Sequence, residues 1–259
     1  MKTIKSGILL LVLLLITGIV SAQEFKTTVP NTKDVKLKLK NFIGKLPVSG
    51  YSGTEIIIKS SSESLAPPEK AKGLKAIYPF GTDNTGLGLD CTKNGNEITI
   101  TCLLPIGRDE EYEIKVPENI AIEIESGCER SNDISITGMK NEIDIKNCND
   151  IELKDISGPV ILSTISGDIN ITFSSINTDK PFSVNSVSGD IDIKLPAKTA
   201  TNLELRTVNG GFFSDFDFTD SQKDLKKVGG NELNFALNGG GFKFSIVTVS
   251  GNIYLRKGN

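Results

Sequence analysis

The 259-residue sequence has no histidine and no tryptophan, and only two methionines and four cysteines. Without histidine, general-base chemistry would fall to carboxylates, lysine or tyrosine. The histidine-containing zinc sets are excluded, and no CxxC spacing is present to build a cysteine site. Aromatic residues make up 6% of the chain, few for a globular enzyme core. Excess positive charge is also missing. The formal net charge of −3 is the wrong sign for binding nucleic acid through its phosphates, or for holding an anionic lipid surface. No glycine-rich stretch continues into the Gly-Lys-Ser/Thr of a phosphate loop, and no cofactor motif occurs.

Long hydrophobic runs are absent after the first twenty residues. At the start, Lys2 and Lys5 precede an unbroken apolar run from Ile8 to Ile16, and Val20-Ser21-Ala22 supplies small residues for cleavage. The pattern predicts a secretory signal peptide over residues 1–22, with the mature chain starting at Gln23. The run is too short to span a bilayer. The expectation is an exported protein, periplasmic, cell-surface or secreted, with no transmembrane anchor after cleavage. Export permits disulfides among Cys91, Cys102, Cys128 and Cys148. The favoured pairs are Cys91–Cys102 and Cys128–Cys148, the second bridging neighbouring coils; four free buried thiols are the alternative.

What the sequence does have is a repeat. Ile165-Ser166-Gly167-Asp168-Ile169-Asn170-Ile171 recurs as Val187-Ser188-Gly189-Asp190-Ile191-Asp192-Ile193 and as Val249-Ser250-Gly251-Asn252-Ile253-Tyr254-Leu255. Looser copies begin at Val208 and Val228, so the leading residues stand 20 to 22 positions apart. The small-Gly-Asp group is turn chemistry, and apolar-x-apolar is the period of a half-buried strand. The repeat-turn glycines are Gly167, Gly189, Gly210, Gly230 and Gly251. Stacked copies predict an all-β fold, a parallel β-solenoid of short strands with ~17–22 residues per coil. The inward row would be Ile169, Ile191, Phe212, Leu233 and Ile253; an antiparallel sandwich is the competing architecture. Residues 118–259 form the solenoid. Residues 23–117 form a β-rich N-terminal part continuous with it, with a polar, loosely held start and a flexible loop near 59–73. Lys36, Lys38 and Lys40 would protect an exposed first strand, and Arg256 and Lys257 the last open edge.

The Ser-Gly-Asp-Ile repeats, Asp83-Asn84-Thr85-Gly86-Leu87-Gly88-Leu89, Tyr112 to Pro117, and Thr207-Val208-Asn209-Gly210-Gly211 together resemble the bacterial DUF4097-type β-strand-repeat proteins, a family described as adhesin-like. The resemblance covers most of residues 35–257. It implies a β-solenoid at the cell envelope and a possible tie to envelope stress, and it carries over no catalytic residue.

The expected function is therefore non-catalytic binding of an extended partner, a glycan or an envelope protein, along a rigid face of stacked side chains. The alternatives are an envelope-stress accessory role and a polysaccharide-cleaving enzyme. The second would use Asp168 and Asp190 as paired carboxylates, but both occupy turn positions where Asp bonds backbone. Asp215, Asp217 and Asp220 form an acidic loop without the spacing of a calcium motif. Phe213 and Phe216 are the candidates for an exposed aromatic patch. No metal ligand set is expected, and the oligomeric state is not specified by the sequence.

Overall fold

The computed structural model describes residues 23–32, 34–60, 69–71, 73–74, 77–107, 110–176, 180–217 and 230–258. The signal-peptide segment and most of the loop near 59–73 lie outside them. In chain order the strands are β1 (Gln23–Thr28), β2 (Lys36–Lys40), β3 (Gly44–Tyr51), β4 (Glu55–Ser60), β5 (Leu89–Asn94), β6 (Glu97–Cys102) and β7 (Tyr112–Pro117). The winding region continues with β8 (Ala121–Glu125), β9 (Asn132–Thr137), β10 (Ile143–Asn147), β11 (Ile151–Ile156), β12 (Val160–Ser166), β13 (Ile169–Phe173), β14 (Phe182–Ser188) and β15 (Ile191–Pro196). The C-terminal strands are β16 (Thr201–Asn209), β17 (Phe212–Ser214), β18 (Asn231–Leu237), β19 (Phe242–Ser250) and β20 (Ile253–Gly258).

They build two ten-stranded sheets. Sheet I runs β1-β4-β7-β3-β9-β11-β13-β15-β20-β17, and sheet II runs β18-β16-β19-β14-β12-β10-β8-β2-β6-β5. From β8 to β15 the chain alternates between the sheets, each pair of strands making one flat coil. Each coil is parallel to the last. In sheet I, Ile134 stands beside Ile151, Ile151 beside Ile169, and Ile169 beside Ile191. The alternation in the sequence sends these residues inward, where all four are 0–1% exposed. Their counterparts in sheet II, Ile122, Ile143 and Val160, are equally buried, and the two rows form one continuous core.

The order of coils departs from chain order at the C-terminal end. The coil β19–β20 inserts between β14–β15 and β16–β17. Ile191 therefore pairs with Ile253, and Phe212 lies beyond it, so the expected sequential row is corrected. Gly230 makes no coil turn. It leads into β18, which runs antiparallel to β16 in sheet II and sets Leu233 opposite Leu205. A period near twenty residues specifies that a segment can make one circuit, but a hairpin return has a similar length. Near-identical turns do not state which neighbour each one chooses.

The N-terminal end uses the same arrangement. The coil β2–β3 lies between β6–β7 and β8–β9. β2 is therefore not an exposed first strand, and its lysines serve ion pairs: Lys36 meets Glu123 at 3.0 Å and Lys38 meets Glu97 at 2.8 Å. The polar start is an ordered strand, antiparallel to β4. Likewise Arg256 and Lys257 sit on an internal strand, between β15 and β17. The four true edges are β1, β17, β18 and β5. Three of them pair antiparallel and β17 has three residues, which leaves little parallel edge for another chain to extend.

Two hydrogen-bond ladders fix the coils to one another at the Ser-Gly-Asp turns. The Oδ1 of Asp150 accepts the backbone N–H of Asp168 at 2.9 Å, Asp168 accepts that of Asp190 at 2.8 Å, Asp190 that of Asn252 at 2.7 Å, and Asn252 that of Gly211 at 3.0 Å. In the same sense from coil to coil, buried hydroxyls on sheet II donate to turn carbonyls: Thr164 to Asn149, Ser186 to Gly167, Thr248 to Gly189 and Thr207 to Gly251. The turns stack so closely that a Cβ at Gly189 would lie 2.2 Å from the Gly167 oxygen, and one at Gly251 would lie 2.1 Å from the Gly189 oxygen. Asn231 extends the hydroxyl ladder by donating from Nδ2 to the Gly210 carbonyl at 2.8 Å.

Cys128 and Cys148 are joined by a disulfide that ties the turn after β8 to the turn after β10, with Cα atoms 5.2 Å apart. Cys91 and Cys102 are free, which corrects the other expected pair. They lie on the hairpin β5–β6, but Cys102 stands opposite Leu89 and Cys91 opposite Ile100. They are thus diagonal neighbours, about 7–8 Å apart, beyond disulfide reach. Burial pushes both thiols above their ordinary pKa.

Gly189→Ala should lower stability in urea by about 2–3 kcal/mol, whereas Gly127→Ala, whose new methyl meets only the flexible Glu129 side chain, should change it by less than about 0.5 kcal/mol. Thiol counting should give two cysteines on unfolding without reductant and four with it. Reducing the Cys128–Cys148 bridge should remove about 3 kcal/mol. Equal effects of the two glycine variants, or a count of zero without reductant, would contradict the geometry.

Candidate functional site

The outward residues of sheet I alternate with the buried isoleucines, so the strand period that builds the core also builds its outer face. One outward row reads Glu152, Asn170, Asp192, Tyr254 and Phe213 across β11, β13, β15, β20 and β17. The adjacent row carries Thr172, Lys194 and Arg256. Successive side chains stand ~4.8 Å apart.

The C-terminal end of this face holds an aromatic platform. The rings of Phe213 and Tyr254 stack with centroids 5.2 Å apart and planes 18° from parallel, and Phe213 is 53% exposed. The Arg256 guanidinium lies 5.6 Å from the centre of the Tyr254 ring. Its Nε donates to both oxygens of Asp192, at 2.8 and 2.9 Å, and Nη2 approaches Asp192 Oδ2 at 2.7 Å. The Asp192 carboxylate raises the pKa of the guanidinium and fixes its plane beside the rings. The result is a stacked pair of rings, with Phe213 on the end strand the more exposed, bordered by oriented donors and acceptors. A groove continues along the same face toward β3, lined by Lys45, Pro47, Ser135, Glu152 and Asn170.

The insertion of β20 creates this platform. Phe213 and Tyr254 are 41 positions apart in sequence and meet only because β17 pairs with β20. Phe213 was therefore legible as an aromatic with an outward phase, but its partner and the flanking Arg256–Asp192 pair were not. Phe216 does not belong to the patch. It is 6% exposed and packs in the core, with Lys257 Nζ 5.4 Å from its ring centre.

The other candidate residues have structural positions. Asp168 and Asp190 spend an oxygen each on the backbone of the next turn. Asp215 accepts the N–H of Lys257 at 2.7 Å, and Asp220 lies outside the described residues. Among the described residues no group of three or more Cys, Asp or Glu is gathered in a metal-binding arrangement. The Asp83 to Leu89 segment is a clasp. Asp83 accepts the N–H groups of Thr85, Gly86 and Gly88, Asn84 brackets Cys91 through both its N–H and its carbonyl, and the Tyr112 hydroxyl donates to the Leu87 carbonyl at 2.7 Å.

No curated protein matches the chain. Among solved structures it is similar to a candidate cell adhesion protein from Clostridium sporogenes, at 13% identity and a TM-score of 0.49, with 92% of this chain and 100% of that one covered. It is also similar to a candidate adhesin from Bacteroides fragilis, at 9% identity and a TM-score of 0.35, with 92% and 98% covered. Residues 128–256, which span the stacked Ser-Gly-Asp turns and the aromatic platform, match the model of one family. The chain belongs to the Toastrack DUF4097 family.

Proposed function

We propose that the protein is an exported, non-catalytic envelope module that binds an extended glycan along the outer face of sheet I. The Phe213–Tyr254 stack, with Phe213 exposed and Tyr254 half-buried, and its Arg256–Asp192 border carry this reading. Aromatic faces receive the C–H faces of sugar rings, while the fixed charged pair and the Asn170 and Lys194 side chains offer hydrogen bonds to hydroxyls. The regular strand spacing repeats such contacts along the sheet, which suits a polymer better than a compact small molecule. Export is supported by the basic, apolar and small-residue segments of the first twenty-two residues. A non-catalytic role is supported by the turn-bonding duty of Asp168 and Asp190, the stacked carboxylates nearest to a hydrolytic pair.

Binding to an array of bacterial cell-wall and capsular glycans is the test. The protein should bind at least one extended polymer, and Phe213→Ala and Tyr254→Ala should each weaken that binding about tenfold or more without changing the melting temperature by more than a few degrees. Ile161→Ser, on the opposite sheet, should leave it unchanged. An array with no binding, or binding indifferent to both aromatic substitutions, would overturn the assignment.

A further inference from the structure

The outer face of sheet I carries acids that its aromatic platform does not use. Asp133, Asp150, Asp168 and Asp190 each precede one of the paired isoleucines Ile134, Ile151, Ile169 and Ile191. They therefore line one rim of the sheet at ~4.8 Å spacing. The first three are exposed and Asp190 is half-buried. Among the described residues none of the four is ion-paired. The rim lies two residues along the strands from the row of Asn170, Asp192, Tyr254 and Phe213, about 7 Å away. That is inside the ~10 Å over which charges act at about 0.1 M salt.

The bases of the face do not offset this rim. Arg256 gives Nε and Nη2 to Asp192, Lys154 meets Glu152 at 2.6 Å, and Lys257 Nζ lies over the Phe216 ring. Lys45, in register with Asp133, and Lys194 are the remaining bases, and Asp155 and Asp215 stand at the strand ends as further acids. A guanidinium with an open fork receives carboxylates and phosphates. Here the Asp192 carboxylate already occupies it.

The turns do not need the negative charge. Asn252 holds the same position in the coil β19–β20, and its amide oxygen accepts the Gly211 N–H at 3.0 Å, as Asp168 accepts that of Asp190 at 2.8 Å. An amide makes the turn bond as a carboxylate does, so the charge of the rim is left to act on whatever lies along the face.

Resting on the reading of this face as a glycan site, we propose that the rim sets its specificity. Uncharged extended glycans are accepted, and polymers carrying carboxylate, sulfate or phosphate are repelled. The rim adds no contact to the right partner; it raises the cost of the wrong one.

An array of neutral, uronic acid, sulfated and phosphodiester polymers, read at ~20 mM and ~0.5 M salt, tests this. The polymers bound at low salt should be neutral. Oxidising the C6 hydroxymethyl groups of a bound neutral polymer to carboxylates should weaken its binding about tenfold or more at low salt, and less at high salt. Asp150→Asn/Asp168→Asn/Asp190→Asn should keep the turn bonds, the melting temperature and the affinity for the neutral polymer, and should recover most of the loss. Asp133→Asn, which accepts no turn N–H, should recover part of it alone. Preference for the carboxylated polymer, or discrimination that neither variant relaxes, would overturn the specificity assignment while the glycan site stands. No binding to any polymer would overturn the glycan site itself, and this assignment with it.

Discussion

Each Ser-Gly-Asp turn rests on the turn of the neighbouring coil at backbone contact distance, and the rest of the structure depends on that contact. The carboxylate or amide of one turn receives an N–H from the next coil, and a carbonyl of the same turn receives a buried hydroxyl from that coil. A parallel sheet interior leaves the polar groups at strand ends in need of partners, and unsatisfied ones are expensive once buried. Here the turn supplies them from its own repeated side chains. Glycine is required where the turns stack because a methyl group would occupy the space of the adjacent carbonyl. The ladder sets the register of both sheets, buries the isoleucine rows, and presents the outward residues at even spacing.

A solenoid built this way has open ends, and both ends are closed by the same device. A coil from each terminus is inserted one layer in from the end, and antiparallel strands finish three of the four edges. Closure and function are linked at the C-terminal end. Insertion of β20 brings Tyr254 beside Phe213 and Arg256 beside Asp192, so the aromatic platform is a product of the same exchange that protects the edge.

The fold class and the pairing of Ile169 with Ile191 were legible because period-2 alternation and turn chemistry act locally. The buried or exposed phase of Phe213, Asn170 and Tyr254 followed from the same alternation. The coil order was not legible. Gly189 is followed in space by Gly251 and not by Gly210, yet the turns around them have nearly the same residues. The choice is made by tertiary packing: Phe242 and Phe244 of β19 meet the Phe182 ring at 4.6 and 5.3 Å, a contact that no local pattern announces. The misread lysines of β2 have the same origin. Their alternation was visible, but Glu97 and Glu123 arrive from strands more than fifty positions away. Phe216 was misassigned because an isolated aromatic in an irregular segment has no phase to read.

The insertion of the last coil is tested most directly by cysteine pairing within sheet II. Ser183→Cys with Ser245→Cys places two thiols at registered positions on adjacent strands, whereas Ser183→Cys with Glu204→Cys places them on strands separated by β19. After mild oxidation, peptide mapping of the monomer should find the 183–245 crosslink in the first variant and no 183–204 crosslink in the second. The opposite result, a 183–204 crosslink without 183–245, would mean that the coils stack in chain order and that the platform described above does not form.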